Sequence, residues 1–566
     1  MSGASQGPMT PASAGAAPGE AAAALSRSRS DAGRLALLLT GAFLLRAFLA
    51  ARGEVIFNDG PRFLAVAKAF AEGETRRALS HVYHPLYSWL TAKLFPLLGD
   101  YERAALAVSV VTGTLVGVPL WLLLRDLFGR RVAWAGVVLW AVHPFAAEYA
   151  ANVQSDSTYL LFFTAAAAFL WRGLSRLPAA SAAAPFALAG ASSALAYLTR
   201  PEGAGVVALG GLWLVAGLWR SRGGFGRELP ARALAGFLLV ATFLAFSLPY
   251  LRHIHETTGY WQLTRKKSLS TLAGVKEYER PDWSKDPVKD EVTAEYGRPP
   301  VRRETPVERY ALRGLRLFVT FAKALTWPLV PFLLLGLAVR GRALWRTRGD
   351  LFLLSFLALY GATLYRLTVT LGYAGRRHMF PVALLALGWT ALGVVTFSRR
   401  LEDALRARGR AWAMHAGAVV LGLLVIASLP RTLRTNVNEP IGEKQAGRWI
   451  RQHAGAGEVR VFAPRERILY YAGARTVRVP LRFAYAPAIA YLRRYGTDFV
   501  VTSDSMTDRW FPDFRRSVRP GDLRLEAEFP ERLRSQTRYR VYRVLYPQGK
   551  SADAPPLPRS MQSWDE

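Results

Sequence analysis

An aspartate just beyond the first long apolar run is the residue best placed to carry out chemistry. Asp59 lies in the stretch FNDGPRFL, residues 57–64, where a chain that has crossed a membrane would emerge. A carboxylate at the edge of a bilayer is partly shielded from water, so its pKa can be tuned for taking a proton from a hydroxyl group. A structural role is the alternative, because Asp before Gly-Pro also suits the start of a helix.

Two more carboxylates flank the next turn expected on the same side of the membrane. Glu148 and Asp156 lie in HPFAAEYAANVQSDSTYLLFF. Together with Asp59 they have the chemistry to hold a divalent cation or to orient an acceptor. Capping is again the alternative, because Ser155 followed by Asp156 is a favourable helix start.

A polar, aromatic stretch follows the first loop. The sequence HVYHPLYSW, residues 81–89, contains His84 and Tyr87 around Pro85. Such a stretch suits packing against a sugar face or binding a phosphate. Tyr and Trp at the membrane surface are also common as simple bilayer anchors. We expect His84 to be the functional member.

Three arginines lie in short connections on the side of the first loop, where cations are disfavoured. Arg200 lies in LTRPEG, and Arg376 and Arg377 lie in GYAGRRHMFP. Charges at membrane depth are costly and mark functional sites. Preplaced arginines stabilise the negative charge that develops on a phosphate leaving group. The alternatives are contact with lipid headgroups, or pairing of Arg200 with Glu202.

The elements between these residues are apolar runs of membrane-spanning length. The 566 residues are 51% hydrophobic, and no cysteine is present, which excludes disulfides and thiol chemistry. Because a spanning helix needs about 20 apolar residues, the sequence predicts about eleven spans. They lie near residues 34–52, 104–124, 132–149, 156–172, 183–199, 204–219, 232–251, 313–338, 351–371, 381–397 and 412–429.

The basic residues predict the orientation of these spans. The net charge is +32, and the surplus is concentrated in short segments between apolar runs, which indicates membrane topology rather than nucleic-acid binding. With eleven alternating spans, five such segments fall on one side, which the positive-inside rule makes cytoplasmic. The N-terminus is then cytoplasmic, and the loops 53–103 and 252–312 and the chain after 430 lie outside. The loop 252–312 is either a lid or a solvated connection without a role.

The sequence predicts four regions. Residues 1–30 are a disordered cytoplasmic tail, 31–430 a membrane module, 431–548 a soluble α/β domain and 549–566 a disordered tail. In the soluble domain, helix patterns such as EKQAGRWIRQHAG alternate with strand patterns such as VRVFAP, which predicts a largely parallel sheet. Neither a GxGxxG motif nor a P-loop is present, so nucleotide binding is unsupported.

Taken in order, these motifs resemble those of the membrane-embedded GT-C glycosyltransferases. The similarity is greatest to the family 39 group, which includes protein O-mannosyltransferases and the aminoarabinose transferase that modifies lipid A. It covers roughly residues 34–397, and the α/β domain is similar to the tail of many bacterial members. The motifs that carry it are NDGPRFL, HPLYSWL, QSDSTYLLFF, LTRPEG and GRRHMFPVALLALG.

The resemblance implies a polyprenyl-phosphate sugar donor and an inverting displacement at the anomeric carbon. It places Asp59 at the position of the family's catalytic base. Many relatives carry a second acid directly after this aspartate, where this chain has Gly60. We therefore predict no required metal or other cofactor, although a divalent cation stays possible.

Our hypothesis is a multi-pass glycosyltransferase of the bacterial inner membrane, with its site and its C-terminal domain on the periplasmic face. The acceptor is a hydroxyl of a lipid, glycan or protein. Asp59 is the base, and the three arginines hold the lipid phosphate. The predicted substrate-binding residues are His84, Tyr87, Glu148, Asp156, Arg200, Glu202, Arg376, Arg377 and His378.

Two other functions remain open. A transporter or flippase of lipid-linked sugars fits the membrane spans, but transporters bind near the bilayer midplane and often contain internal repeats. Here the notable polar residues gather at one rim, and no repeat is evident. The second alternative is a non-enzymatic envelope assembly protein whose α/β domain recruits partners.

Overall fold

The computed structural model describes most of the chain as helices followed by one small sheet. The described residues are 18–220, 225–265, 292, 295, 305–371, 375–434, 439–479, 483–507, 514–533, 535–550 and 554–557. Much of the 252–312 loop and most of the predicted C-terminal tail, residues 549–566, therefore lie outside them.

The first twelve helices run from the N-terminus to residue 258. They are α1 (Pro18–Arg52), α2 (Gly60–Ala71), α3 (Thr75–Ser80), α4 (Leu86–Leu98), α5 (Tyr101–Leu115), α6 (Gly117–Phe128), α7 (Arg130–Ala141), α8 (Pro144–Ala150), α9 (Asp156–Arg176), α10 (Ala183–Thr199), α11 (Gly205–Arg220) and α12 (Phe225–Thr258).

The remaining helices complete the membrane part and enter the C-terminal domain. They are α13 (Arg313–Leu325), α14 (Val330–Arg340), α15 (Arg348–Leu371), α16 (Arg376–Ala407), α17 (Ala416–Leu433), α18 (Ile441–His453), α19 (Glu466–Ala472), α20 (Tyr485–Arg494) and α21 (Phe514–Ser517).

Within the described ranges, nine helical segments are long and apolar enough to cross a membrane, so the chain is a multi-pass membrane protein. They are Arg29–Arg52, Tyr101–Phe128, Ala180–Thr199, Pro201–Trp219, Glu228–Thr258, Trp327–Trp345, Arg348–Val369, Arg376–Ala407 and Ala411–Leu433.

Three of the eleven predicted spans differ from this set. The span predicted at 313–338 is divided into α13 and α14, and the segment of spanning character is Trp327–Trp345. The span predicted at 132–149 is divided into α7 and α8, because Pro144 cannot continue the preceding helix. The span predicted at 156–172 is one helix of 21 residues, α9. It has spanning length but is absent from the apolar set, and its sequence includes Asp156, Arg172 and Arg176.

The predicted disordered tail also differs from the structure where the two overlap. Residues 18–30 already belong to α1, whereas residues 1–17 lie outside the described part. The sequence EAAAALSRSRS, residues 20–30, is rich in alanine, the best helix former, and is continuous with the apolar body of the helix. The structure thus has helix at residues 18–30, where composition alone predicts disorder.

The long helix α16 is held by a close crossing with α14. A Cβ atom on Gly336 would lie 1.9 Å from the carbonyl oxygen of Trp389, and one on Gly393 would lie 1.8 Å from that of Phe332. Only glycine allows the two backbones to approach so closely. This crossing fixes the position of α16, which begins at Arg376.

The C-terminal domain contains one mixed sheet. Its strands are β1 (Arg460–Phe462), β2 (Arg475–Thr476), β3 (Phe499–Ser503), β4 (Leu523–Pro530) and β5 (Arg538–Val544), in the order β2-β1-β3-β5-β4. β1 is parallel to β2 and to β3, whereas β5 is antiparallel to β3 and to β4. The predicted α/β domain is present, but its sheet is only half parallel, because the short β4–β5 connection permits only antiparallel pairing.

Side chains of the C-terminal domain bind the backbone of residues 54–56. The Glu439 carboxylate accepts hydrogen bonds from the N–H of Glu54 at 2.7 Å and from that of Val55 at 2.9 Å. Nζ of Lys444 donates to the carbonyl oxygen of Glu54 at 2.5 Å. The face of the membrane part on which these contacts lie is called the domain side below.

Both backbone groups of Ile56 bond to the same domain. Its N–H donates to the Tyr471 hydroxyl at 3.1 Å, and Nη1 of Arg467 donates to its carbonyl oxygen at 3.1 Å. Arg467 is itself oriented by Glu443, to which it donates at 2.6 and 2.9 Å. Five backbone groups in three consecutive residues are therefore held by side chains of the C-terminal domain.

The Glu439 contact predicts a pH-dependent stability. Burial raises the pKa of the Glu439 carboxyl to about 7, although its two backbone hydrogen bonds oppose the rise. Because the folded pKa lies above the unfolded value, the contribution of this group is fully present at low pH and is lost as pH rises through about 7, by at most about 3 kcal/mol. Glu439→Gln should remove this loss, because a neutral amide still accepts both bonds.

Thermal unfolding in detergent, measured from pH 4 to 9, checks the expectation. The wild-type Tm should fall across pH 5–8 more steeply than the Tm of Glu439→Gln. Glu458→Gln, an exposed acid within the same domain, is the control and should follow the wild type. Equal slopes for the wild type and Glu439→Gln would contradict the assignment.

Candidate functional site

Asp59 forms an ion pair with Arg377. It occupies the N-cap position of α2, yet its side chain makes no hydrogen bond to that helix. The carboxylate instead accepts a hydrogen bond from Nη1 of Arg377, in the first turn of α16. Arg377 also lies over the ring of Phe57, 5.4 Å from its centre. The geometry therefore favours the ionic role of Asp59 over helix capping.

A second ion pair joins Asp156 to Arg200. Asp156 is 4% exposed, and one of its oxygens accepts from Nη1 of Arg200 at 2.6 Å. Nη2 of the same arginine lies 3.6 Å from a carboxylate oxygen of Glu202. The guanidinium stacks 5.6 Å from the centre of the Tyr159 ring. Arg200 therefore pairs with Asp156 and lies close to Glu202, so the pairing with Glu202 considered as the alternative is present, and the role of Arg200 at the site stays a prediction.

The turn that carries Arg200 and Glu202 depends on a glycine. A Cβ atom on Gly203 would lie 2.2 Å from the backbone nitrogen of Tyr197, so a larger residue cannot be accommodated. The Gly203 carbonyl oxygen accepts from Ser193 Oγ at 2.8 Å, and the Glu202 carbonyl oxygen accepts from the Tyr360 hydroxyl at 2.6 Å. The first bond holds the turn against α10 and the second holds it against α15.

The two ion pairs belong to one charged cluster. Arg377 interacts electrostatically with Asp156 and Arg200 as well as with Asp59. The four residues come from widely separated parts of the chain, namely the first loop, the start of α9, the end of α10 and the start of α16. The structure therefore brings together four of the residues that the sequence singles out.

Two further arginines lie close to the ring of Phe145. The Arg376 guanidinium is 4.6 Å and the Arg431 guanidinium 4.9 Å from the centre of this ring. Both interact electrostatically with Glu148. The hydrogen bonds and ion pairs of the described residues give neither arginine a carboxylate at bonding distance. These two cations are therefore available to an anion.

His84 and Tyr87 are enclosed by protein. His84 is 3% exposed, and its Nδ1 donates to the carbonyl oxygen of Tyr197 at 2.6 Å, between the rings of Tyr197 and Tyr250. The Tyr87 side chain is fully buried and bonds through its hydroxyl to the Ala105 carbonyl oxygen at 3.0 Å and to Ser109 Oγ at 2.9 Å. In this structure Tyr87 supports the packing of α4 against α5.

His378 lies close to the arginine pair but has a local role. Its Nδ1 accepts from the backbone N–H of Gly375 at 3.1 Å, which caps the start of α16. The N–H groups in the first turn of a helix carry partial positive charge. The capped helix start therefore adds to the positive potential around Arg376 and Arg377.

The sequence singled out neither Arg62 nor Arg431. Arg62 lies three residues after Asp59, and its Nε donates to Glu466 of α19 at 2.7 Å. That partner is distant in the sequence, so no local pattern shows the pair. Arg431 ends the last apolar run on the side predicted to lie outside, where cations are disfavoured, and the same rule that identified Arg200 would have found it.

The structure gives no support for a metal centre in the part of the chain that it describes. Among those residues, no three His, Asp or Glu side chains converge in a way that would hold an ion. Asp59 and Asp156 each face an arginine rather than another carboxylate. The cation site that the three carboxylates could have formed is not assembled here.

Comparisons with known proteins define the class of the fold. The model of a family described as dolichyl-phosphate-mannose-protein mannosyltransferase matches residues 81–246. Among curated proteins, no sequence matches the chain. ArnT from Cupriavidus metallidurans, solved with undecaprenyl phosphate, is similar in structure, with a TM-score of 0.53 and 16% sequence identity. The matched region covers 93% of this chain and 99% of the ArnT chain.

Two archaeal structures are also similar. The oligosaccharyltransferase of Archaeoglobus fulgidus, in complex with zinc and sulfate, is 11% identical over 83% of this chain and 68% of its own, with a TM-score of 0.52. AglB from the same organism, with an inhibitory peptide and a dolichol-phosphate, is 13% identical over 84% of this chain and 70% of its own, with a TM-score of 0.50. The chain thus has the GT-C fold, and the predicted resemblance to GT-C glycosyltransferases is confirmed.

The buried Asp156–Arg200 pair makes a testable contribution to stability. Arg200→Met should lower stability by about 3 kcal/mol, because it leaves a buried carboxylate without its partner. Adding Asp156→Asn to this variant should restore part of the loss, since the uncompensated charge is then removed. Tm in detergent measures both effects.

The exposed Arg399, at the far end of α16, provides the control as Arg399→Met, which should behave as the wild type. A double variant less stable than Arg200→Met would show that the two side chains do not act as a pair.

Proposed function

We propose that this protein transfers a sugar from a polyprenyl-phosphate donor to a hydroxyl group of a lipid, glycan or protein acceptor. The observation that carries the proposal is the cluster of Asp59, Asp156 and the arginines at the domain side of a GT-C fold. The similar proteins support it, because ArnT was solved with undecaprenyl phosphate and AglB with a dolichol-phosphate.

Asp59 acts as the base in the proposed reaction. The acceptor oxygen attacks the anomeric carbon and passes its proton to the Asp59 carboxylate. The bond from the anomeric carbon to the phosphate oxygen breaks, and its electron pair leaves with the polyprenyl phosphate. Attack on the face opposite the leaving group inverts the anomeric configuration.

Arg377 links the base to the leaving group. In this structure its guanidinium is paired with Asp59. A phosphate that binds beside α16 competes for the same guanidinium, which carries five N–H donors and can contact two anions at once. Donor binding thereby weakens the hold of Arg377 on Asp59, and the carboxylate becomes a better proton acceptor.

Arg376 and Arg431 form the main contact with the donor phosphate. Both lie against the ring of Phe145 at the domain side, and the capped first turn of α16 adds positive potential. Arg200 has a different role, because it is already bonded to Asp156 and close to Glu202. It stabilises the developing charge from a distance, and Asp156 acts by positioning it.

Glu148 and His84 shape the surroundings of these charged residues. Glu148 interacts with Arg376 and Arg431 and limits how negative a group can bind there. His84 holds its own loop against α10 through its hydrogen bond to Tyr197. In this proposal the domain side faces the periplasm of a bacterium, as the distribution of basic residues predicts.

A transfer assay with a labelled polyprenyl-phosphate sugar tests the base. Asp59→Asn should lower the rate by about 10²–10⁴-fold, the usual contribution of general base catalysis. Glu72→Gln, an exposed acid just after α2, is the control and should retain full activity. If Asp59→Asn transferred the sugar at the full rate, the assignment of Asp59 as the base would be wrong. If the wild type flipped lipid-linked sugars without transferring them, the transporter function would be favoured.

Substitutions of the two arginines close to Phe145 test the phosphate site. Arg376→Ala and Arg431→Ala should each raise KM for the donor by about 10-fold, since each removes a charged hydrogen bond worth about 1.5 kcal/mol or more. Arg434→Ala, an exposed arginine at the end of α17, is the matched control. The proposed phosphate site is wrong if KM is unchanged in both variants.

A further inference from the structure

The C-terminal domain contacts the proposed base through a second arginine. Arg62 lies in the first turn of α2, three residues after Asp59, and interacts electrostatically with it. Both Nε and Nη2 of Arg62 donate to the Glu466 carboxylate of α19, the Nε bond being 2.7 Å long. The guanidinium also lies 5.8 Å from the centre of the Tyr83 ring.

Glu466 therefore competes with Asp59 for the same cation. Its two oxygens accept two bonds from Arg62, the arrangement that binds a guanidinium most strongly. Asp59 pairs with Arg377, the arginine that the donor phosphate is proposed to attract. Without Glu466, Arg62 is free to turn towards Asp59, which lies on the same helical turn.

A permanent cation beside Asp59 would impair a base. An opposite charge at close range lowers the pKa of a carboxyl by about 1–3 units, which weakens its affinity for a proton. Arg62 would remain bound to Asp59 throughout the reaction, because the proposed phosphate contacts are made by other arginines and would not draw Arg62 away. The Arg62–Glu466 bond therefore keeps the carboxylate basic.

The backbone contacts of residues 54–56 fix this arrangement in space. Glu439, Lys444, Arg467 and Tyr471 bond to five backbone groups directly before the Asp59 turn. The loop and Glu466 consequently belong to one assembly, and a shift of the domain would move both. The contact also buries Val55 and Ile56 against Tyr471.

We propose that the C-terminal α/β domain is a positioning element of the active site, with Glu466 holding Arg62 away from Asp59. Glu466 is a positioning residue, since it acts through Arg62. This inference rests on the proposed transferase function with Asp59 as base. It gives the domain a part in the reaction other than recruitment of partners.

Steady-state kinetics of the full chain, with a labelled polyprenyl-phosphate sugar at several pH values, tests the inference. Glu466→Gln should lower kcat by about 10-fold or more, the scale expected when a reacting group is misplaced. The acidic limb of the kcat profile should move down by about one pH unit, because the freed Arg62 lowers the pKa of Asp59. KM for the donor should change little.

The double variant separates this mechanism from a structural effect. Arg62→Gln combined with Glu466→Gln should recover most of the wild-type kcat, because the competing cation is gone. A purely structural role of the ion pair predicts no recovery. Glu458→Gln is the matched control, since Glu458 also pairs with arginines but only inside the domain, at 3.1 Å from Arg460 and 3.5 Å from Arg475.

Tyr471→Phe supplies a second variant in case Glu466→Gln does not fold. It removes the acceptor of the Ile56 N–H, so hydrogen exchange of that amide should become faster while kcat falls several-fold. Faster exchange with an unchanged kcat would overturn the positioning role. Unchanged exchange would show that the contact does not hold the loop, which overturns it equally.

The outcomes distinguish the two proposals. If the wild type transfers the sugar and Glu466→Gln has the same activity and the same pH profile, this inference is rejected and the transferase proposal stands. The inference is also wrong if the double variant is as slow as Glu466→Gln. Absence of transfer by the wild type rejects both, because the inference has no base to act upon.

Discussion

The ion pair between Asp59 and Arg377 joins two elements that are separated by 318 residues in the sequence. Taking such charges out of water costs several kcal/mol per ion, and the cost is recovered only when each has a well-placed partner. The surroundings meet this requirement with further opposite charges. Asp156 and Glu202 accompany Arg200, and Arg376 and Arg431 accompany Glu148. Removal of one charge would therefore affect the whole set.

Rigid helices hold this set of charges. α16 presents its two arginines from a first turn capped by His378, and its body is fixed against α14 by the crossing of Gly336 and Gly393. The Arg200 turn is fixed against α10 by Gly203. The glycines lie where backbones meet and the arginines where helices begin or end, so packing in the membrane determines the geometry of the charges.

The membrane organisation and several members of the charged cluster were predictable from the sequence for a physical reason. Apolar length identifies spans, and the bias of basic residues between them singles out Arg200 and Arg376 as exceptions. Partners that lie in distant segments of the chain were not predictable, because such pairing leaves no local pattern in the sequence. Arg62 and Glu466 illustrate this limit. The mixed sheet was missed for a different reason, since the last two strands lack an intervening helix.

The contact between the C-terminal domain and residues 54–56 is made to the main chain of the loop and to the side chains of the domain. The two partners therefore differ in how freely they can change over evolution. Glu54 can be replaced by most residues without loss of its bonds, and positions 55 and 56 require only an apolar side chain. The domain, in contrast, must keep a hydroxyl at Tyr471 and a carboxylate or amide at Glu439. Substitutions at residues 54–56 are thus tolerated, whereas substitutions of the domain residues that bind them are not.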